Sequence, residues 1–233
     1  MLDATHAAFL LLLSGDAQLW RIIWISLTTS VVALMIAAPL AIGAGYAVAS
    51  CRFPGRRVVI WLVQAALSLP TVLIGLLLYL LLSRQGPLGA WQLLFTQAGV
   101  VLGQVVIALP ILIAFTLAAV QAADPRYAET AVALGATRWR TMWTVLHEVR
   151  FGVVAAIISG FGRVISEVGC ALMVGGNIAG ETRTITTAIA LETSKGEFAQ
   201  GIALGMVLIA LALLMNGALM FLQGDVHGTR GFR

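Results

Sequence analysis

Two places in this 233-residue chain carry side chains at spacings that can do more than hold a fold. The first is Arg163 with Glu167, four residues apart inside the apolar run Phe151–Val174. On a helix that spacing puts both on one face, where they can pair. Arg163 falls roughly 18 Å along the run at 1.5 Å per residue, near the middle of a bilayer. An ionised group there costs at least ~2.5–3.5 kcal/mol, so both side chains are expected to face protein or water. Two roles follow. The pair can be an internal ion pair that fixes the rotation of its helix. Alternatively, Arg163 lines a path and lowers the barrier for an anion, while Glu167 offsets it so that the anion is released. Ser166 lies between them and joins them as a candidate path residue.

The second place is Ala128–Arg140, which reads AETAVALGATRWR. Asp124 can cap a helix N-terminus, and Pro125 suits the first helical position. Glu129 sits in the opening turns, where negative charge is favoured. Tyr127, Ala131 and Leu134 share a face at helical spacing. Gly135 supplies the backbone freedom of a C-terminal cap. Thr137 can cap a second helix carrying Arg138, Trp139, Arg140 and Trp143. The reading is two short helices joined at a glycine and projecting from the membrane. They form either a docking knob for a cytoplasmic partner or an amphipathic pair resting on the headgroups.

The elements that position these residues are membrane spans. The chain is 60% hydrophobic and 10% charged, against about 25% charged in an ordinary soluble domain. Five runs are long and apolar enough to cross: Ile22–Ala49, Val58–Leu82, Ala98–Ala122, Phe151–Val174 and Gly201–Leu222. The fold class expected is an all-α integral membrane protein with five transmembrane helices. Residues 1–21 form an N-terminal segment in which Ala7–Leu13 is too short to span and reads as an interfacial helix. Residues 22–222 form the transmembrane domain, residues 124–149 its cytoplasmic loop, and residues 223–233 a cytoplasmic tail.

Orientation follows from the thirteen arginines and the single lysine. Arg52, Arg56, Arg57, Arg126, Arg138, Arg140, Arg150, Arg230 and Arg233 fall on one side of a five-span layout. Arg21, Arg84, Arg183 and Lys195 fall on the other. The arginine-rich side is cytoplasmic, which puts the N-terminus outside and the C-terminus inside. No basic run exceeds the Arg52–Arg57 cluster, which argues against nucleic acid as a partner and leaves lipid as the surroundings.

Pro39, Pro70 and Pro110 each fall inside a span and are expected to kink it. The pairs Gly99/Gly103 and Gly201/Gly205 allow close helix approach. Gln64, Ser68, Gln104 and Asn216 are polar groups at membrane depth whose common role is hydrogen bonding between helices. Cys51 and Cys170 lie near opposite ends of their spans, so no disulfide within the chain is expected. The Thr-rich segment Asn177–Gln200 is expected to fold over the outer mouth.

There is no G-x-x-x-x-G-K-[ST] phosphate loop, so the chain has no ATP site of the Walker type. HExxH and CxxC patterns are absent, and the three histidines are scattered, which argues against a metal centre or other cofactor.

Glu129-Thr130-Ala131, with Gly135 four residues on, resembles the coupling loop of ATP-binding-cassette importer permeases. The second position is Thr130 rather than alanine, and the closing segment Val145-Leu146-His147-Glu148 has no proline. A second region resembles the oxyanion permeases, and their tungstate branch above all. It comprises Gly162–Gly169, Gly175–Ile178, Gly180–Thr184 and Thr186–Gly196. The resemblance implies a type I importer permease fold and a homodimer. It implies a cytoplasmic ATPase dimer, which binds the ATP and docks on Glu129, Thr130, Ala131 and Gly135. It also implies an extracytoplasmic binding protein that delivers tungstate, molybdate or sulfate. The alternative reading is an ion-coupled secondary anion carrier in which Arg163 and Glu167 form the coupling pair. A membrane enzyme lacks a nucleophile and base.

Overall fold

The computed structural model describes residues 15–227, with side chains described through 221. The interfacial helix expected at Ala7–Leu13 and the end of the tail, residues 228–233, lie outside the described residues. Every regular element among the described residues is helical.

Helix α1, Ala17–Ser50, is 34 residues long, which at 1.5 Å per residue is roughly 51 Å. Asp16 opens it, its Oδ1 accepting from Leu19 N at 2.8 Å. Its other end is closed by Arg56, whose Nε donates to Val48 O at 2.7 Å and Nη2 to Ala49 O at 3.1 Å. A guanidinium on the last carbonyls both satisfies them and complements the helix dipole. Pro39 lies inside this helix, and Pro110 lies inside α4, Gln97–Gln121, as expected.

The second span differs from the expectation of one kinked helix. It is two helices, α2 (Arg56–Leu67) and α3 (Thr71–Leu82), set at 101°. Pro70 is the cause. It has no N–H to donate and disfavours helical backbone at Leu69. The chain ends α2 in a tight turn, Ser68 N to Ala65 O at 3.0 Å, and restarts with Pro70 as the residue before α3.

The loop expected at 124–149 forms α5 (Arg126–Ala133) and α6 (Arg138–Glu148). The fourth span also breaks. It is α7 (Arg150–Ile165) followed by the short α8 (Gly169–Gly175), and α7 bends 75° from α6. Then come α9 (Ile185–Lys195) and α10 (Phe198–His227). Three helices (α1, α4 and Phe198–Phe221 of α10) are long and apolar enough to cross alone, and the two bent pairs raise the number to five.

Three clusters hold the bundle. In the first, Ala33, Ala37 and Ala41 of α1 meet Ala108 and Leu112 of α4 and Ala156 and Phe161 of α7. Small residues at this seam let backbones approach, which is how helices associate where lipid removes the hydrophobic driving force. In the second, Leu19 and Ile22 of α1 meet Ile185 and Ala188 of α9 and Leu204 of α10. In the third, Leu78 of α3, Ile107 of α4 and Cys170 and Val174 of α8 pack together.

Gly99 and Gly103 are both buried, and a Cβ at Gly103 would stand 2.7 Å from Cys170 Sγ. Gly205 has no such neighbour, so the second glycine pair is not a close contact within this chain. Met35, Leu40, Leu73, Leu77, Ile209 and Leu213 point outward. An apolar face of that extent belongs in a bilayer.

The α1–α4 seam yields a paired test. A Cβ at Gly45 would lie 2.8 Å from Thr116 Cβ and 3.0 Å from Ile113 O, whereas one at Gly43 meets nothing within 4 Å. Gly45→Ala is expected to destabilise the purified protein by about 1–3 kcal/mol. Gly43→Ala is expected to leave it unchanged or slightly more stable. Thermal unfolding in detergent reads both, and equal midpoints would mean the seam is not as tight as described.

Candidate functional site

The loop 124–149 is built from local rules. The helix starts at Arg126 with Pro125 as its N-cap, one residue later than expected, and Asp124 precedes the cap, its Oδ1 accepting from Arg126 N at 2.9 Å. At the far end, Ala136 N bonds Ala131 O and Gly135 N bonds Val132 O, both at 2.9 Å. This double closure is a Schellman cap, and Gly135 takes the left-handed φ of +79° that it requires. Thr137 then opens α6, its Oγ1 accepting from Arg140 N at 3.4 Å.

Ala131 of α5 and Thr141 of α6 are both buried, and the two helices pack against each other. Tyr127, Thr130, Ala131, Leu134 and Arg140 line a groove of about 610 Å3. Outward stand Val132, Leu134, Trp139 and Trp143, with Leu134 83% exposed. The two indoles meet edge to face at 5.9 Å. A rigid knuckle with a leucine at its tip and arginines at its rim is thereby presented to solvent. Glu129 lies in the first turn of α5.

Arg163 and Glu167 meet as the spacing predicts, Nη1 to Oε2 at 2.8 Å. They are not on one helix, however. Arg163 is in the last turn of α7, and Glu167 lies past its end, in the break before α8. Glu167 is 3% exposed, while the Arg163 side chain is 41% exposed. The second carboxylate oxygen, Oε1, accepts from Cys170 N at 3.1 Å. Glu167 thus holds a guanidinium with one oxygen and opens α8 with the other, both charge-assisted bonds. Its backbone carbonyl accepts from Thr186 Oγ1 at 2.7 Å, which ties the break to α9.

Ser166 is exposed, and its hydroxyl turns back to Gly162 O at 2.8 Å. It lines a groove of about 240 Å3 between α7 and α10 together with Ser159 and Asn216. The predicted residues therefore fall into two separate groups: Glu129, Thr130, Ala131 and Gly135 on the knuckle, and Arg163, Ser166 and Glu167 at the break.

Of the other polar groups at depth, Gln104 alone reaches across helices, Nε2 to Ser30 Oγ at 3.4 Å. Asn216 bonds its own helix at Ala212 O. The Thr-rich segment does more than cover an opening. Thr182, Thr184, Thr186 and Thr187 are buried, and Ile185 N donates to Ser26 Oγ at 2.6 Å. The sequence signal was the density of threonines, which can bury their methyls while bonding backbone. Among the described residues, no three His, Cys, Asp or Glu side chains gather as a metal site requires.

Known proteins share this arrangement. The family described as binding-protein-dependent transport system inner membrane component matches residues 37–226. A probable anion ABC transporter permease of Haloferax volcanii is 40% identical, over 87% of this chain and 90% of that protein. The tungstate uptake system permease TupB of Campylobacter jejuni is 38% identical, over 92% of this chain and 90% of its own. In three dimensions, a crystal structure of an amino acid ABC transporter covers 93% of this chain and 98% of its own with a TM-score of 0.66 at 16% identity, which is a likeness of fold. A helical bundle of bent spans, carrying a capped two-helix loop and matched over most of its length, thus belongs to the binding-protein-dependent inner-membrane permeases of ATP-binding-cassette transporters.

Proposed function

We propose that two copies of this chain enclose a path for a tetrahedral oxyanion, with tungstate as the first substrate and molybdate and sulfate as related dianions. Work comes from a cytoplasmic ATPase dimer that holds the ATP and docks on the α5–α6 knuckle. A binding protein delivers the anion on the opposite face. The N-terminus lies outside and the C-terminus in the cytoplasm, as the distribution of arginines favours. The names of the anion and tungstate relatives support the substrate class.

The observation that carries this reading is the knuckle itself. Its tip residue, Leu134, is 83% exposed at the C-cap of a helix closed by a Schellman turn. An exposed leucine on a rigid helix suits insertion into a partner's groove. A push on α5 passes to α6 through the buried Ala131 and Thr141, and from α6 across the 75° bend into α7. Helix α7 ends at Arg163, beside the break. Its half-exposed guanidinium lowers the barrier to a dianion, and the buried Glu167 limits the depth of that well so the anion moves on.

The ion-coupled carrier has less support. A coupling carboxylate must be free to take a proton or an ion in turn, whereas both Glu167 oxygens are already engaged.

Two variants test the reading in proteoliposomes holding the permease and its ATPase. Leu134→Asp is expected to weaken ATPase association by roughly thirtyfold or more, as loss of a central hot-spot residue of ~2 kcal/mol does. ATP-driven tungstate uptake should fall with it. Full ATPase retention with normal uptake would remove the knuckle as the docking point. Arg163→Gln is expected to keep the ATPase bound while uptake drops at least about tenfold, or ~1.4 kcal/mol on the barrier. Unchanged uptake by the assembled variant would take Arg163 off the path.

A further inference from the structure

At the end of the bundle opposite the knuckle, the first turns of α1 and the segment before α9 enclose a cavity of about 250 Å3 lined by Gln18, Arg21, Gly180 and Arg183. The same end holds the start of α4, since Gln97 Nε2 donates to Glu181 O at 2.9 Å. Two arginines on one small cavity repel each other unless an anion joins them. Among the described residues neither has a carboxylate within ion-pair distance, whereas Arg163 and Lys195 each do. The acid that precedes Arg21, Asp16, is turned onto Leu19 N.

Both guanidiniums are positioned. Arg21 Nε donates to Gly180 O at 3.0 Å. Gly180 has φ +75°, and a Cβ there would stand 3.3 Å from Arg21 Nε, so glycine leaves room for the fork. Arg183 Nη2 donates to Asn177 O at 3.4 Å. Among the described residues its Nε is buried without an acceptor. A buried guanidinium donor without a partner costs free energy that a bound acceptor would recover. Arginine forks match the oxygens of tetrahedral anions in paired hydrogen bonds. A cavity of this size exceeds the ~30 Å3 share of one water several times over, enough for such an anion with part of its hydration shell.

We infer that Arg21 and Arg183 form a binding site for a tetrahedral oxyanion at the outer mouth of the permease. Two sources offer that chemistry. One is the transported dianion, whose identity here rests on the function proposed above. The other is the phosphate of a lipid headgroup, since Trp20 and Trp24 stand exposed beside Arg21 on α1.

The test uses the permease–ATPase complex in phosphatidylcholine nanodiscs titrated with tungstate by calorimetry. R21Q/R183Q is expected to weaken binding roughly tenfold or more, the loss of two charge-assisted contacts. If that variant fails to assemble, R21K/R183K keeps the charges without the forks and is expected to bind several-fold more weakly. In parallel, native mass spectrometry counts phosphatidylglycerol retained by complexes purified from vesicles containing it. Weakened tungstate binding assigns the site to the dianion. Retained lipid that disappears in the double variant assigns it to the headgroup phosphate. Equal tungstate binding and equal lipid retention in wild type and variant would overturn the site. ATP-driven uptake measured on the same wild-type complex judges the importer reading separately, so the two can fail independently.

Discussion

The structure turns on one buried carboxylate. A chain this apolar has little with which to satisfy an ionised group at depth, and Glu167 is satisfied on both oxygens. One oxygen takes the Arg163 guanidinium, and the other takes the Cys170 N–H in the first turn of α8. The second bond requires that the helix be interrupted, because a continuous helix would have no unclaimed N–H at Cys170. The break, the ion pair and the short α8 are therefore one feature. Thr186 on the Glu167 carbonyl extends it to α9, and Cys170 beside Gly103 extends it to α4.

This arrangement makes the fourth span a mechanical joint rather than a rod. Helix α7 is anchored at its N-terminal end by the sharp bend from α6 and at its far end by the ion pair. The long helices α1 and α4, sealed by alanines and glycines, form the frame against which such a joint can move. Packed interiors switch between arrangements instead of deforming smoothly, so under the proposed function a displacement of the knuckle would reach the break as a shift of α7. The outer threonine segment lies on the same route, one hydrogen bond from Glu167.

Much of this was legible in the residues. The apolar run lengths gave the all-helical class and its three to five crossings, because that signal is set by solvent rather than by neighbours. The C-terminal cap of α5 at Gly135 and the N-cap of α6 at Thr137 were legible because capping is a contact within a few residues, whereas the start of α5 fell one residue later than Asp124 implied. What escaped were features made by contacts distant in sequence. Pro70 announced a kink, but not a 101° turn. No proline or glycine marks 166–168, where the break arises from Glu167 reaching Cys170 N. Arg21 and Arg183 read only as charges on one side, since their meeting depends on how the turn around Gly180 folds against α1. The groupings of Asn216 and Ser166 with their own helices were likewise invisible, because a polar residue at depth can bond its own backbone as readily as another helix.

The most direct measurement is a pulsed electron-spin distance across the assembled transporter, with a nitroxide at exposed position 166 in each of two copies. The label is introduced as Ser166→Cys in a Cys51→Ser background, with the buried Cys170 left in place. Distances are compared without nucleotide and with ATP trapped in the partner ATPases. The account predicts that the distribution shifts between the two states, because work entering at the knuckle arrives at the break. A single unchanged distribution in a complex that hydrolyses ATP and transports would contradict it.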